Sequence, residues 1–186
     1  MPSAIISMTA YRRFYIPGAT WFFTVNTAER RGNDLLIQKI DLLREAFRYV
    51  KNKRPFNMNA VVIMPDHLHC IWTLPAGDAD FSKRWNLLKG RFSRSLKKGE
   101  RISESRHKRR ERGIWQRRFW AHFIADQEDF NRHVDYIHWN PVKHGMVRRV
   151  VDWPYSSFHR FVELGIYSAA WGQSGGFVIR GGDRNE

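Results

Sequence analysis

The chain has 186 residues, of which 42% are hydrophobic and 15% aromatic, so it is long enough for one domain with a packed core. Its 32 Lys and Arg residues against 18 Asp and Glu residues give a formal charge of +14, which predicts a polyanionic partner. A single cysteine excludes an intrachain disulfide framework, and no apolar run reaches the roughly 18 residues of a membrane span. We therefore expect an intracellular protein without a signal peptide.

Apolar residues that alternate predict strands, and apolar residues spaced by three and four predict helices. In chain order these patterns predict a strand at 21–26, a helix at 38–52, strands at 57–64 and 67–74, a helix at 82–97, a polar basic segment at 99–113, a strand at 115–124 and a helix at 127–139. Asp126 is placed to cap the last helix, and Asn140-Pro141 is expected to interrupt it before a short further turn to Gly145.

The β-α-β-β-α-β-α order predicts an α+β fold, a ferredoxin-like antiparallel sheet with helices packed on one face. We expect residues 1–165 to form this single domain. Residues 166–186 are rich in glycine and poor in periodicity, and are expected to form a flexible tail.

Two histidines, His67 and His69, lie two residues apart in the third predicted strand. Alternate side chains of a strand point to the same face, so both imidazoles share one face and Leu68 lies on the other. Two imidazoles on one face predict the larger part of a small metal site. Asp66, next to the pair, either orients a histidine ring or only serves the preceding turn.

The last predicted helix carries Tyr136 away from its apolar stripe, on a face shared with His133 and Asn140. A lone helical tyrosine is most often partly buried, with its hydroxyl in a hydrogen bond. If this face packs beside the histidine pair, the tyrosine can instead attack phosphorus while a divalent metal polarises the phosphate oxygens.

Basic residues concentrate between Lys83 and Arg118, where fifteen basic residues and three acidic ones give a charge of +12. Aromatic residues accompany them at positions 85, 92, 115, 119 and 120. Cations hold phosphates and aromatic rings stack on bases, so the mixture favours nucleic acid over an acidic membrane surface or a merely solvated loop. Phosphate contacts are expected from Lys83, Arg84, Arg91, Arg94, Arg117 and Arg118, and from Arg12 and Arg13 near the N-terminus.

Five blocks of the chain resemble the REP-associated tyrosine transposases, the domesticated branch of the single-tyrosine HUH transposases. They are YRRFYIPGATWFFTVNT at 11–27, MPDHLHCIWTLP at 64–75, WQRRFWAHFI at 115–124, HVDYIHWNPVKHGMV at 133–147 and DWPYSSFHRF at 152–161. Within the second block, His67-Leu68-His69 matches the His-hydrophobic-His motif of the HUH nucleases. That motif alone is weak, whereas five blocks in order are specific and cover most of the chain.

The resemblance implies an HUH core and an enzyme that cuts and rejoins single-stranded DNA at palindromic hairpins such as REP elements. It implies that Tyr136 is the nucleophile that becomes joined to a 5′ phosphate, and that His67 and His69 are the histidine ligands of a metal. By its donor chemistry, a histidine-rich site completed by oxygen accepts Mg²⁺ or Mn²⁺, and zinc is expected to bind it as well or better. Asn140 is the third ligand by resemblance, but capping a helix before Pro141 is an equally open role. A cytoplasmic, nucleoid-associated bacterial protein is implied, acting as a monomer or a homodimer and without a membrane partner.

Two other functions remain open from the residues themselves. One is a module that binds structured nucleic acid without cutting it, and the other is a hydrolytic metallonuclease that uses water in place of tyrosine. The remaining histidines of the second half are expected to be hydrogen-bonded core residues or DNA contacts rather than metal ligands; they are His122, His133, His138, His144 and His159.

Overall fold

Four antiparallel strands form the central sheet of the structure, a computed structural model that describes residues 16–99, 102–109 and 111–172. The strands are β1 (Thr20–Asn26), β2 (Asn57–Ile63), β3 (His67–Thr73) and β4 (Trp120–Phe123). Their order across the sheet is β2-β3-β1-β4, with every neighbouring pair antiparallel. The predicted α+β class and ferredoxin-like antiparallel sheet are therefore confirmed.

Six α-helices accompany the sheet within these described ranges. They are α1 (Leu35–Gln38), α2 (Ile40–Lys53), α3 (Phe81–Ser95), α4 (Glu104–Lys108), α5 (Gln127–Lys143) and α6 (Phe158–Glu163), with a 3-10 turn at Val150–Asp152. The helix α4 lies in the polar basic segment at 99–113, where no helix was predicted. The strand predicted at 115–124 is shorter, because Trp115 forms only an isolated bridge with Thr27 before β4 begins.

The first face of the sheet packs on α2 and α3. Alternate strand residues such as Phe23 and Trp72 lie in a buried cluster with Leu43 of α2 and Trp85 of α3. The Trp72 and Trp85 rings stack with centroids 4.3 Å apart and planes 15° apart. This layer matches the prediction of helices packed on one face.

The second face packs on α5 and α6, which the prediction of one covered face did not include. Phe22 and Ile71, which alternate with the residues of the first face, cluster with Val134 and Ile137 of α5 and Phe161 of α6. Because side chains alternate along β3, His67 and His69 point to this second face. The helix that carries Tyr136 therefore covers the histidine pair.

The helix α5 continues through Asn140-Pro141 to Lys143, so the predicted interruption is wrong. Pro141 lies in the last turn, where its missing N–H removes one helical hydrogen bond. Buried residues before and at the proline keep this turn against the sheet. The start of the helix is as predicted, because the Asp126 carboxylate accepts a hydrogen bond of 2.8 Å from the backbone N–H of Asp129.

Residues beyond the predicted domain boundary at 165 still belong to the folded unit. Tyr167 stacks on Phe158 of α6 with ring centroids 5.6 Å apart, and its hydroxyl donates to Asp135 of α5. Trp171 packs on Tyr167 at 4.6 Å. The rest of the tail predicted at 166–186, from 173 onward, lies outside the described residues, as do Arg12 and Arg13. None of the described helices has the length and apolar character needed to cross a bilayer.

Candidate active site

Two imidazoles lie side by side on the sheet face that α5 covers. His67 and His69 leave β3 on the same face, and their ring centroids are 4.9 Å apart. Both side chains are buried, with 2% and 1% exposure. Buried polar rings need partners, so their remaining contacts decide what the pair can do.

A hydrogen bond to Nδ1 orients each ring. His67 Nδ1 donates to Asp66 Oδ1 at 2.6 Å, and Arg30 Nε donates to the other oxygen of that carboxylate at 2.7 Å. Thr24 Oγ1 is hydrogen-bonded to His69 Nδ1 at 2.9 Å. The Nε2 atom of His67 is buried and has no hydrogen-bond partner among the described residues. Asp66 thus orients a ring, one of its two predicted roles, and leaves Nε2 for a ligand.

The charge states of these groups suit a metal ion. Burial alone would raise the pKa of Asp66, but hydrogen bonds from His67 and Arg30 outweigh it and lower that pKa from 3.8 to about 2. Burial, followed by the charges of His67 and His144, lowers the pKa of His69 well below 6.5. His69 is therefore a neutral imidazole near pH 7, the form that binds a metal.

Asn140 lies one turn after Tyr136 in α5 and is buried. Its backbone is helical, so the predicted role as an N-cap is wrong. Neither its side-chain oxygen nor its nitrogen has a hydrogen-bond partner among the described residues. Because an unpaired buried polar group costs about 1–3 kcal/mol, this amide fits the position of an oxygen ligand better than that of a packing residue.

Tyr136 packs against the histidine pair of its own chain. Its ring centroid is 5.2 Å from that of His69 and 6.0 Å from that of Phe22. The Nζ atom of Lys143 lies 5.0 Å from the centre of the Tyr136 ring. The helix face that carries Tyr136 thus packs beside the pair, as the nucleophile interpretation requires.

Comparisons with known proteins establish the family of the chain. The profile of the family described as Transposase IS200 like matches residues 22–140. A REP-associated tyrosine transposase from Escherichia coli is 49% identical over 164 residues, which cover 88% of this chain and 91% of that protein. The chain belongs to the REP-associated tyrosine transposases.

Two further relatives match the transposase over nearly the whole of their length. A Haemophilus influenzae protein named for the same family is 43% identical over 175 residues, covering 94% of this chain and 99% of that protein. A solved structure described as the REP-associated tyrosine transposase bound to a REP hairpin matches with a TM-score of 0.79 and 45% identity. That match covers 96% of this chain and 98% of the other.

A cleft of about 460 Å³ opens beside His67 in the transposase. Arg30, Asn33, Asp66 and His144 are among the residues that line it. The ring of His144 is 5.2 Å from that of His67. Arg30 was not predicted to belong to the site, and His144 was expected to be a hydrogen-bonded core residue or a DNA contact rather than a metal ligand. For His144, the signal was its position two turns after Tyr136 on the same helical face.

The basic residues of α3 lie on the other side of the sheet from Tyr136. The helix α3 packs on the first face, and Lys83, Arg91 and Arg94 are exposed on it. Arg117 and Arg118 are exposed on the segment that leads into β4, the edge strand. A DNA molecule that touches both sets has to pass around an edge of the sheet.

Arg84 is a core residue, so the prediction that it contacts phosphate is wrong. Its side chain is buried, at 0% exposure. The guanidinium donates to the carbonyl oxygens of Arg54, Pro55 and Asp80 and to the Asp78 carboxylate at 2.7 Å. It therefore joins the end of α2 to the start of α3 and cannot reach a bound strand.

We expect Arg84→Ala to lower the free energy of unfolding by about 3–5 kcal/mol, because it leaves buried oxygens without their donor. The matched control is Lys83→Ala, at the position just before Arg84. The exposed ion pair of Lys83 with Asp80 contributes about 0–1 kcal/mol to stability. Urea denaturation of both variants measures the difference. Equal, small losses of stability in the two variants would show that the buried network is unimportant.

The aromatic residues of the basic segment are also mostly core. Trp85, Phe92 and Trp115 are buried, and Phe119 packs against the first core cluster. Trp120 differs, with 40% exposure on the second face of the sheet. The prediction that these rings stack on bases is therefore wrong for the buried three and remains open for Trp120.

Proposed function

We propose that this transposase cuts and rejoins single-stranded DNA at palindromic hairpins through a covalent bond between Tyr136 and a 5′ phosphate. The observation that carries the proposal is the 5.2 Å approach of the Tyr136 ring to His69 within one chain. The buried, unpartnered atoms of His67 and Asn140 support a metal site beside it. The solved relative bound to a REP hairpin supports a hairpin of this kind as the substrate.

In the proposed reaction, Oη of Tyr136 attacks the phosphorus and the bond from phosphorus to the 3′ oxygen breaks. The phenol proton passes to solvent, and the departing 3′ oxygen takes up a proton. Attack by a 3′ hydroxyl on the phosphotyrosine reverses these changes, rejoins a strand and restores the tyrosine. No nucleotide cofactor is needed, since the phosphotyrosine retains the energy of the phosphodiester.

His67, His69 and Asn140 would hold the divalent cation, Mg²⁺ or Mn²⁺. When bound there, the cation polarises the phosphate oxygens and orients the leaving group. Asp66 and Thr24 keep both imidazoles turned toward it through their Nδ1 bonds. The Nζ atom of Lys143, 5.0 Å from the centre of the Tyr136 ring, adds a positive charge beside the site.

The sheet register supports a path for the single strand across the second face. Trp120 pairs with Thr24 on β1, which in turn pairs with His69 on β3. These three side chains therefore lie in one row across the second face, and the exposed indole is two strands from the histidine pair. A base next to the scissile phosphate can stack on Trp120.

The test is formation of a covalent complex with a labelled hairpin oligonucleotide in Mn²⁺ and in EDTA, read on a denaturing gel. A shifted band in Mn²⁺ alone supports the proposal. Cut DNA without attached protein would favour a hydrolytic nuclease. Intact DNA with retained binding would favour a non-catalytic binding module.

Hairpin affinity should fall steeply with salt. If Lys83, Arg91, Arg94, Arg117 and Arg118 each neutralise one phosphate, log K falls with log salt at a slope of about −4.5. This corresponds to a loss of about 500-fold between about 50 and 200 mM salt. Fluorescence anisotropy of a labelled hairpin measures the slope.

Double substitutions that each remove two positive charges then locate the bound DNA on the protein surface. Arg117→Ser with Arg118→Ser tests the edge of β4, and Lys83→Ser with Arg91→Ser tests the first face. Each pair should reduce the slope by about 2 if its residues contact phosphate. A slope near zero in the unaltered protein would contradict the electrostatic role of these residues.

A further inference from the structure

A second group of metal-binding side chains lies between the edge strand and α5. His122 comes from β4, and Asp129 and His133 come from α5. His122 Nε2 is 2.9 Å from Asp129 Oδ2, and His133 Nδ1 is 3.1 Å from Asp129 Oδ1. One nitrogen or oxygen atom from each of the three lies within 4.8 Å of those of the other two.

This group is separate from the His67–His69 pair. The Phe22 ring lies between them, 5.6 Å from the His69 ring and 4.7 Å from the His133 ring. The rings of His122 and His133 stack on each other at 4.6 Å, with planes 20° apart. An aromatic ring thus separates two clusters of polar side chains on the same sheet face.

The donor set is one that borderline divalent metals prefer. Two imidazoles and one carboxylate occur in zinc sites that keep a further position for water. The two histidines are half-buried, so water can reach that position. Burial lowers the pKa of His133, which keeps its ring neutral near pH 7 and able to bind a metal.

We propose that His122, Asp129 and His133 form a second divalent-cation site, of the type that binds zinc, which ties β4 to α5. His133 Nδ1 also lies 2.9 Å from the backbone carbonyl oxygen of Asp129. The metal would replace the imidazole hydrogens that now point to the carboxylate and carbonyl oxygens of Asp129, and each ring would carry its proton on the other nitrogen. The short edge strand β4 would then be held to the helix that bears Tyr136, three residues after His133.

The test uses the full chain with His67→Ala and His69→Ala, which removes the first pair. Titration with Zn²⁺ by calorimetry should then show one remaining equivalent, and Co²⁺ should give the visible absorption of a site with few ligands. The melting temperature should rise by about 5–10 °C when zinc exceeds the dissociation constant about 100-fold.

His122→Gln is the decisive variant in this background. The glutamine amide can still donate to Asp129, so the hydrogen-bonded arrangement is preserved, but an amide nitrogen does not bind zinc. We expect zinc affinity to fall at least about 100-fold and the thermal shift to disappear. His107→Gln, at an exposed histidine of α4, is the matched control and should bind zinc like its parent.

Two results would overturn the proposal. One is the absence of zinc binding after removal of the first pair, and the other is equal zinc affinity with and without His122→Gln. If loss of the first pair prevents folding, His122→Gln in the otherwise unaltered protein should reduce the zinc stoichiometry by one, and an unchanged stoichiometry would overturn the proposal.

Discussion

Tyr136→Phe should abolish the covalent protein–DNA complex and slow strand cleavage at least about 10³-fold. The substitution removes only the phenol oxygen, which is the proposed nucleophile. The ring contacts with His69 and Phe22 remain, so the fold and the hairpin affinity should be unchanged. A hairpin labelled on the strand that keeps the 5′ phosphate, run on a denaturing gel, measures the complex.

The matched control is Tyr49→Phe. Tyr49 is a partly exposed tyrosine of α2, on the opposite side of the sheet, and its loss should leave the complex intact. A covalent complex that persists in Tyr136→Phe would assign the nucleophile to another residue. Undiminished cutting without a complex in that variant would instead point to attack by water.

Replacement of His67 or His69 by alanine should remove metal-dependent cleavage. Each change deletes one of the two imidazoles, so the cation loses one of its two nitrogen ligands. Removal of the metal by EDTA should have the same effect on the unaltered protein. Cleavage rates measured over a range of Mn²⁺ concentrations report this loss. Persistent metal-dependent cutting by both variants would place the cation elsewhere.

Two milder variants separate ligands from the groups that orient them. Asp66→Asn weakens the hydrogen bond that orients His67, and should lower Mn²⁺ affinity about 10–100-fold while cleavage at saturating metal persists.

Asn140→Ala should also weaken Mn²⁺ binding without loss of stability, because the Asn140 side chain has no hydrogen-bond partner among the described residues. His159→Ala, on α6, serves as the control for metal binding and should leave Mn²⁺ affinity unchanged.

The two largest effects depend on different features of the same site. Loss of Tyr136 removes bond formation but leaves the cation in place, whereas loss of the histidines removes the cation but leaves the nucleophile. DNA binding should survive both, since the exposed arginines lie outside the buried site. Variants that retain affinity and lose cleavage therefore distinguish an enzyme from a binding module.

Prediction from sequence succeeded where the pattern is local. Alternation within β3 placed His67 and His69 on one face, and helical spacing placed Asn140 one turn after Tyr136. Asp126 was recognised as a cap because capping involves residues three apart. The five blocks that resemble the family predicted the class of enzyme, which the comparisons confirm.

Prediction failed where burial depends on distant residues. Arg84 looked like a phosphate contact because its neighbours are basic, yet its partners include carbonyls about 30 residues away. Pro141 looked like a break, yet packing against the sheet keeps α5 continuous. Charge and aromatic content in a segment do not reveal which side chains face the core.

The sequence alone therefore determined the fold class, the histidine pair and the family, because strand alternation, helical spacing and motif order are all properties of neighbouring residues. Tertiary structure alone decided that Tyr136 meets His69, that Asn140 is buried with unpartnered polar atoms, and that His122 joins Asp129 and His133. Each of these features requires α5 to pack on the second face of the sheet. The packing of α5 on the sheet is set by core residues of separate elements rather than by any local pattern.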